Sequence, residues 1–309
     1  MEGHANVTRM ENKNTPGLVF RLLIISLAAV ALLPDDAFAW GAGIHVAQGS
    51  FILENLGMIR PDVAAVLASN PFDYIYGCIS ADIFIGKGYR RRNDHCHNWS
   101  IGMKVLSDAT DDATRAYAYG YLSHLAADII AHNYYIPNLL YATPSSKGIG
   151  HVYWEFRADR FIHKKHWTLA SKVVDMHNHG NDTLIKKVMN RGRLRFGAKK
   201  MVFKRAVRLN DIIVWREHVD HAQNGARVTR RHVSTLNNYS INLIIDLLSN
   251  HGNAVCLRYD PVGTDNTIEA KLARRVDKRE RKIDKHSIMF IVPREITDIG
   301  YVDHETDRL

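Results

Sequence analysis

Cysteine is scarce in this chain: Cys78, Cys96 and Cys256 are the only three in 309 residues. So few, and an odd number, exclude a fold built on a disulfide framework. Cys78 and Cys96 flank one candidate ligand loop, and either pair in an oxidising compartment or stand as small buried residues. Strand signals are few as well, Met289-Phe290-Ile291-Val292 being the best. No internal repeat or low-complexity tract is visible, which argues against a solenoid and against a linker protein. Long apolar runs are also missing. The best of them, Leu22 to Leu33, falls short of the roughly 20 residues needed to cross a bilayer.

That short run reads instead as the centre of a targeting segment. Arg9, Lys13 and Arg21 precede it, Pro34 breaks it, and Ala37 and Ala39 supply small residues at a cleavage position. Residues 1–39 are therefore expected to be a signal peptide, and the mature chain to be secreted or periplasmic and to begin at Trp40. The leader carries three basic and four acidic residues, so its removal takes the net charge from +9 to +10. A positive exported protein suits anionic partners such as phosphodiesters, lipid head groups or nucleic acid. The remaining length can bury one large core, or a core with a small addition.

What is present in quantity is helical patterning. Gly41 to Leu56 has apolar residues at helical spacing, with Gly57 as a stop, and Pro61 opens a short helix through Leu67. Asn70 to Asn98 reads as a loop-rich excursion because Gly77, Gly86, Gly88 and a group of arginines interrupt it. Ala113 to Tyr135 is a long apolar helix that Pro137 should end. Thr110 is its expected N-cap, with Asp111 and Asp112 in an acidic first turn. A loop at 144–148 leads into a helix from about His151. Val233 to Leu248 is amphipathic, and Ile268 to Ile283 alternates charges like a solvated helix face. The expected fold is all-α, a helical bundle with a loop-rich insertion. It is expected to divide into a core at 40–165, to which the chemistry is confined, and a basic helical extension at 166–309 packed on that core.

Within the long helix, His124, Asp128 and His132 recur every four residues. Each step turns the helix by about 400°, so the three drift only ~80° and share a face. The rise from His124 to His132 is ~12 Å, more than one ion with ligands near ~2.1 Å can span. Such a row suits two ions, with Asp128 between them able to bridge. His151 and Glu155 form a second pair four apart, and Asp82, His95 and His97 come from the loop-rich segment. Imidazole with carboxylate and no thiolate points to zinc first. An Asp–His pair on an apolar helix can also be a satisfied polar network, and His45 alone reads more simply as a structural residue. The histidines from His163 onward show no comparable pattern.

Taken together, these residues resemble the bacterial zinc-dependent phospholipases C, which include the clostridial α-toxins. The resemblance covers roughly Trp40 to Glu155. It rests on Trp40 with Gly-Ile-His45, Asp82 in its loop, His97-Asn-Trp99, and Tyr-Leu-Ser-His124-Leu-Ala-Ala-Asp128. His132 and Gly-His151-Val-Tyr-Trp-Glu155 complete it. It implies up to three zinc ions. Asp82, His97, His124 and Asp128 would hold one, and His132, His151 and Glu155 a second. The third would lie on the Trp40 amine and carbonyl, His45 and the shared Asp128. Cleavage after Ala39 would then be activating, because an amide nitrogen is a poor ligand. Asp82 and Asp128 are the implied catalytic carboxylates, Asp82 orienting or deprotonating the attacking water.

The pattern departs from the family in two places. The better-known toxins space the equivalents of Asp128 and His132 two residues further apart, with a proline between. Ile83 stands where choline-lipid enzymes carry an aromatic residue, so a choline preference is not implied. The expected activity is hydrolysis of the glycerol–phosphate bond of phospholipids at a membrane surface. A rival, by the same kind of resemblance, is a single-strand-specific zinc nuclease, although no basic-aromatic stacking run accompanies the positive charge. A non-catalytic metal- or membrane-binding relative is the third reading.

Overall fold

The computed structural model describes residues 40–84, 95–143, 154, 157–176, 178–190, 193–212, 228–280, 282–283 and 288–309. Among them are twelve α-helices and no strand, so the fold is all-α. In chain order these are α1 (Ala42–Glu54), α2 (Pro61–Ser69), α3 (Pro71–Ser80), α4 (Trp99–Ser107), α5 (Asp112–Ile130) and α6 (Ile136–Ala142). They continue with α7 (Lys164–Asp175), α8 (His179–Val188), α9 (Arg193–Ile212), α10 (Arg230–Asn250), α11 (Thr264–Glu280) and α12 (Arg294–Thr297). Among the described residues, no helix is long and apolar enough to cross a membrane. The segment 1–39, with its expected cleavage signal, lies outside the described residues, as do His151 and Glu155.

α5 is the central element, and nearly all of it from Ala116 to Ile130 is buried. A helix that is apolar all round belongs in a core, and α3, α4 and α10 surround this one. Its N-terminus is a capping box. Asp111 accepts from Thr114 N at 2.8 Å, while Thr114 Oγ1 accepts from Asp111 N at 3.2 Å. The cap is thus Asp111 rather than Thr110, because the threonine three residues on can reciprocate only from that register.

The stretch expected to be loop-rich from Asn70 is helical through Ser80, and a 3₁₀ turn, Ala81–Phe84, follows it. Gly77 is no breaker there. A Cβ at Gly77 would lie 2.1 Å from the Tyr117 carbonyl oxygen and 2.9 Å from Gly120 Cα. One at Gly120 would lie 2.0 Å from the Tyr74 carbonyl oxygen. The two glycines let α3 and α5 cross backbone against backbone, and this crossing delivers Asp82 to the face of α5 that carries His124.

At its C-terminal end α5 runs into a π-helical turn, Ala131–Tyr135, and then into α6. Pro137 was expected to terminate the helix, but it sits inside the first turn of α6. The π turn resets the register, with Ile136 N–H donating to Ala131 O, so the missing proline donor falls among those a helix start leaves over. The Met289–Val292 segment also differs from expectation. Met289 N and Phe290 N both donate to Asn138 Oδ1, and Phe290 O accepts from Asn138 Nδ2. One side chain on α6 satisfies the backbone that a strand ladder would otherwise have served.

Gly77→Ala and Gly120→Ala should each cost at least about 3 kcal/mol, the upper end for overpacking, since the obstacle is backbone. Gly197, on α9, has nothing within 4 Å of the same position, and Gly197→Ala should instead gain up to about 1 kcal/mol. Denaturant unfolding measures both, and equal stabilities across the three variants would refute the crossing as a constraint.

Candidate metal centre

Six side chains named from sequence converge beneath the end of α3. His45 comes from α1, Asp82 from the 3₁₀ turn, His97 from the segment before α4, His124 and Asp128 from α5, and His132 from the π turn. All six are buried. His97 Nε2 lies 3.4 Å from Asp82 Oδ1 and 3.3 Å from Asp128 Oδ2. His124 Nε2 lies 3.7 Å from Asp82 Oδ1, 3.1 Å from Asp128 Oδ2 and 2.9 Å from His97 Nε2. Around a tetrahedral zinc with ligands at ~2.1 Å, neighbouring donors are about 3.4 Å apart. The five separations scatter about that value, so Asp82, His97 and His124 fit one zinc ion, and Asp128 lies against both imidazoles.

Asp128 faces two ways. Its Oδ1 lies 3.3 Å from His45 Nε2, and its Oδ2 faces His97, His124 and, at 3.7 Å, His132. Groupings able to hold a metal therefore overlap on it: His45 with His124, and His97 with His132. Both Asp128 oxygens, Asp82 Oδ2 and His45 Nε2 are buried without a hydrogen bond. Orphaned polar atoms are costly inside a protein, and a cation held at this cluster would satisfy them.

The electrostatics agree. Burial lowers the pKa of His45, an effect deepened by His124, and takes His97 to about 4 and His132 to about 3. These three imidazoles are neutral at ordinary pH, the form in which they ligate. Burial also works against protonation of His124, but Asp128 and then Asp82 outweigh it and raise the group to about 9. Desolvation pushes Asp82 up to about 7. Asp128 is pushed the same way by burial, yet His124 and His45 hold it well below the carboxylate range. His97 and His124, whose Nε2 atoms lie 2.9 Å apart, would share a cation in place of a proton, so metal uptake would be coupled to proton release.

The outer partners escaped the sequence reading. His124 Nδ1–H donates to the Cys78 carbonyl at 2.9 Å, which turns Nε2 toward the cluster. Cys96 Sγ contacts His97 Nδ1 at 3.2 Å, and Tyr121 OH donates to the Cys96 carbonyl. Cys78 and Cys96 are free buried thiols, burial lifting each to about 12. His95 takes a peripheral place, its Nδ1 accepting from His97 N at 3.2 Å. The Trp40 indole is fully buried, stacks on Tyr135 at 5.0 Å and donates to Ser240 Oγ at 3.1 Å. Ser240 in turn donates to the carbonyl of Ala127, the neighbour of Asp128.

A clasp from the C-terminal third holds the π turn that bears His132. Asn133 Nδ2 donates to Asp260 O at 2.8 Å, and Asn266 Nδ2 donates to Asn133 O at 2.9 Å. Between them Gly263, at φ +62, lies so close that a Cβ would sit 2.3 Å from His132 O. No local pattern announces this, because the partners are over 120 residues apart.

A buried His/Asp cluster with a shared carboxylate, in an all-α bundle, has the donor set of a metal-binding protein. The comparison with known families is specific: the model for zinc-dependent phospholipase C matches residues 44–203, more than half of the chain. The chain belongs to that family and is a zinc-dependent hydrolase of the phosphodiesterase class. Neither the curated proteins nor the solved structures yield a match.

Gly263→Ala should weaken zinc binding by about 10- to 100-fold, and Asn133→Ala by about tenfold, through misplacement of His132. Competition against a chromophoric chelator reads this out, with circular dichroism as the control for folding. Unchanged affinity in both variants would show that the clasp does not position the ligand.

Proposed function

We propose that this protein is an exported phospholipase C, cleaving the glycerol–phosphate bond of phospholipids to release diacylglycerol and a phosphorylated head group. The observation that carries the reading is a set of overlapping buried trios, Asp82 with His97 and His124, His45 with His124 and Asp128, and His97 with Asp128 and His132. Family membership supports the lipid substrate. In this proposal Asp82, His97, His124 and Asp128 hold one zinc. His132 joins His151 and Glu155 on a second, and His45 joins Asp128 and the freed Trp40 amine and carbonyl on a third. Residues 1–39 are the export signal, 40–165 the catalytic core and 166–309 the extension packed on it.

When bound, zinc supplies Lewis acidity, acidifying water to near neutral pH and offsetting the charge of a phosphodiester. The chain's own residues do the rest. Asp82 Oδ2, which makes no hydrogen bond, is available to hold a water proton and set the direction of attack. The Cys78 carbonyl keeps His124 in the tautomer whose Nε2 faces the cluster. Ile83 and Phe84 are buried, and Phe84 packs against Phe196 at 5.4 Å, so neither offers a free aromatic wall to a choline head group. A preference for choline is therefore not part of this reading.

Protein starting at Trp40 and assayed in parallel on mixed phospholipids and single-stranded DNA is expected to release diacylglycerol and water-soluble phosphate ester. Acid-soluble nucleotides in their place would mark a nuclease. One residue left ahead of Trp40 should remove about one equivalent of zinc and reduce turnover, because an amide nitrogen does not ligate as an amine does. Full zinc and full activity in the extended protein would refute the Trp40 assignment. Asp128→Asn should lose at least about tenfold more kcat/KM than His45→Ala, since Asp128 serves two ions. The reverse order in steady-state kinetics would exclude a shared carboxylate.

A further inference from the structure

α11 is held to the bundle by one side. Thr267 and Ala270 are buried, Asp277 Oδ2 accepts from Tyr141 OH at 2.7 Å, and Arg274 donates to the Tyr141 carbonyl. The opposite side is unusual. Ile268 is 44% exposed, Leu272 53% and Val276 52%, and nearby Ile288 and Ile291 reach 64% and 76%. Single exposed apolar residues are ordinary, but a contiguous row is not. Ile268, Leu272 and Val276 stand four apart, forming a row about 12 Å long on one helix face. An open groove lined by Asp265, Ile268, Glu269, Leu272, Ala273 and Met289 joins this row to the 288–291 segment.

Charge lies beside the row in an ordered way. Lys271, Arg275 and Arg279 follow it three residues behind, a parallel row about 60° round the helix. Lys278 adds to that flank, and Lys282, beyond the helix, pairs with Glu280 at 2.7 Å. Of the acidic residues, Asp265 and Glu269 lie in the first two turns, Asp277 is tied to Tyr141 on the covered side, and Glu280 is paired with Lys282. An apolar row flanked by long cationic side chains is how a helix lies in a lipid interface, its stems in the acyl boundary and its charges on the head groups. The position is apt too. Gly263, packed on the His132 backbone, immediately precedes α11, so the row begins only about 8 Å along the helix from the clasp.

We propose that this face of α11, with Ile288 and Ile291, is the surface by which the protein docks on an anionic phospholipid bilayer beside its metal centre. The proposal rests on the phospholipid reading of the substrate and adds the element that presents the site to the membrane. None of these residues lies within the segment matched by the family model.

Co-sedimentation of the full mature holoenzyme with vesicles tests it, using phosphatidylcholine alone and an equal mixture with phosphatidylglycerol. Released head group is measured in the same tubes. Turnover of a short-chain phospholipid below its critical micelle concentration is measured separately. The wild type should bind the mixed vesicles more tightly, with affinity falling as salt rises. Leu272→Glu with Val276→Glu should weaken binding at least about tenfold. Arg275→Glu with Arg279→Glu should abolish the preference for the mixture and flatten the salt dependence. Both double variants should keep the short-chain turnover.

Three outcomes would overturn the proposal: a wild type that stays in the supernatant, double variants that bind undiminished, or a dimer in sedimentation velocity that Leu272→Glu dissolves, which would make the face a self-interface. Vesicle binding that depends on these residues without hydrolysis of either lipid form would sink the phospholipase reading and leave the surface standing.

Discussion

The crossing of α3 and α5 at Gly77 and Gly120 is the contact on which the centre depends. Nothing larger than hydrogen fits at either position, so the two backbones meet directly. That approach puts the Cys78 carbonyl within hydrogen-bonding reach of His124 Nδ1, and four residues later it puts Asp82 beside His97 and His124. A wider helix spacing would break the hydrogen bond and separate the carboxylate from the imidazoles together. Backbone packing and ligand geometry are therefore one constraint.

Around this crossing, charge decides how the buried groups behave. Two carboxylates and four imidazoles are expensive to bury, and zinc held among them would offset that cost. Asp128 is central because its two oxygens address different histidines. The supporting contacts come from far along the chain: Ser240 under Trp40, and Asp260, Gly263 and Asn266 around the π turn. The C-terminal third thereby takes part in building a site whose named side chains all precede it.

Much of this was legible in the sequence. The row His124, Asp128, His132 needed only the helical repeat to be placed on one face, and chemistry alone pointed from imidazole and carboxylate to zinc. Where the reading failed, it did so for identifiable reasons. Gly77 read as a breaker because glycine lowers helix propensity, whereas here its value lies in close approach. Pro137 read as a stop because the preceding turn was assumed to be α-helical, and a π turn has a different donor count. Met289 to Val292 read as a strand on composition, but Asn138 had already taken its backbone groups.

The sequence by itself determined the all-α class, the metal chemistry and the candidate donors on the long helix, because helical periodicity and ligand type are local properties. It also contained the charge alternation of α11, but not which side of that helix would be covered. Tertiary structure alone decided that Asp128 faces His45 with one oxygen and His97 and His124 with the other. It also decided that Cys78 and Cys96 act through a carbonyl and a thiol rather than a disulfide, and that Gly263 presses on His132. Each of these depends on the approach of segments distant in the chain, and no pattern within a single helix records what will be packed against it.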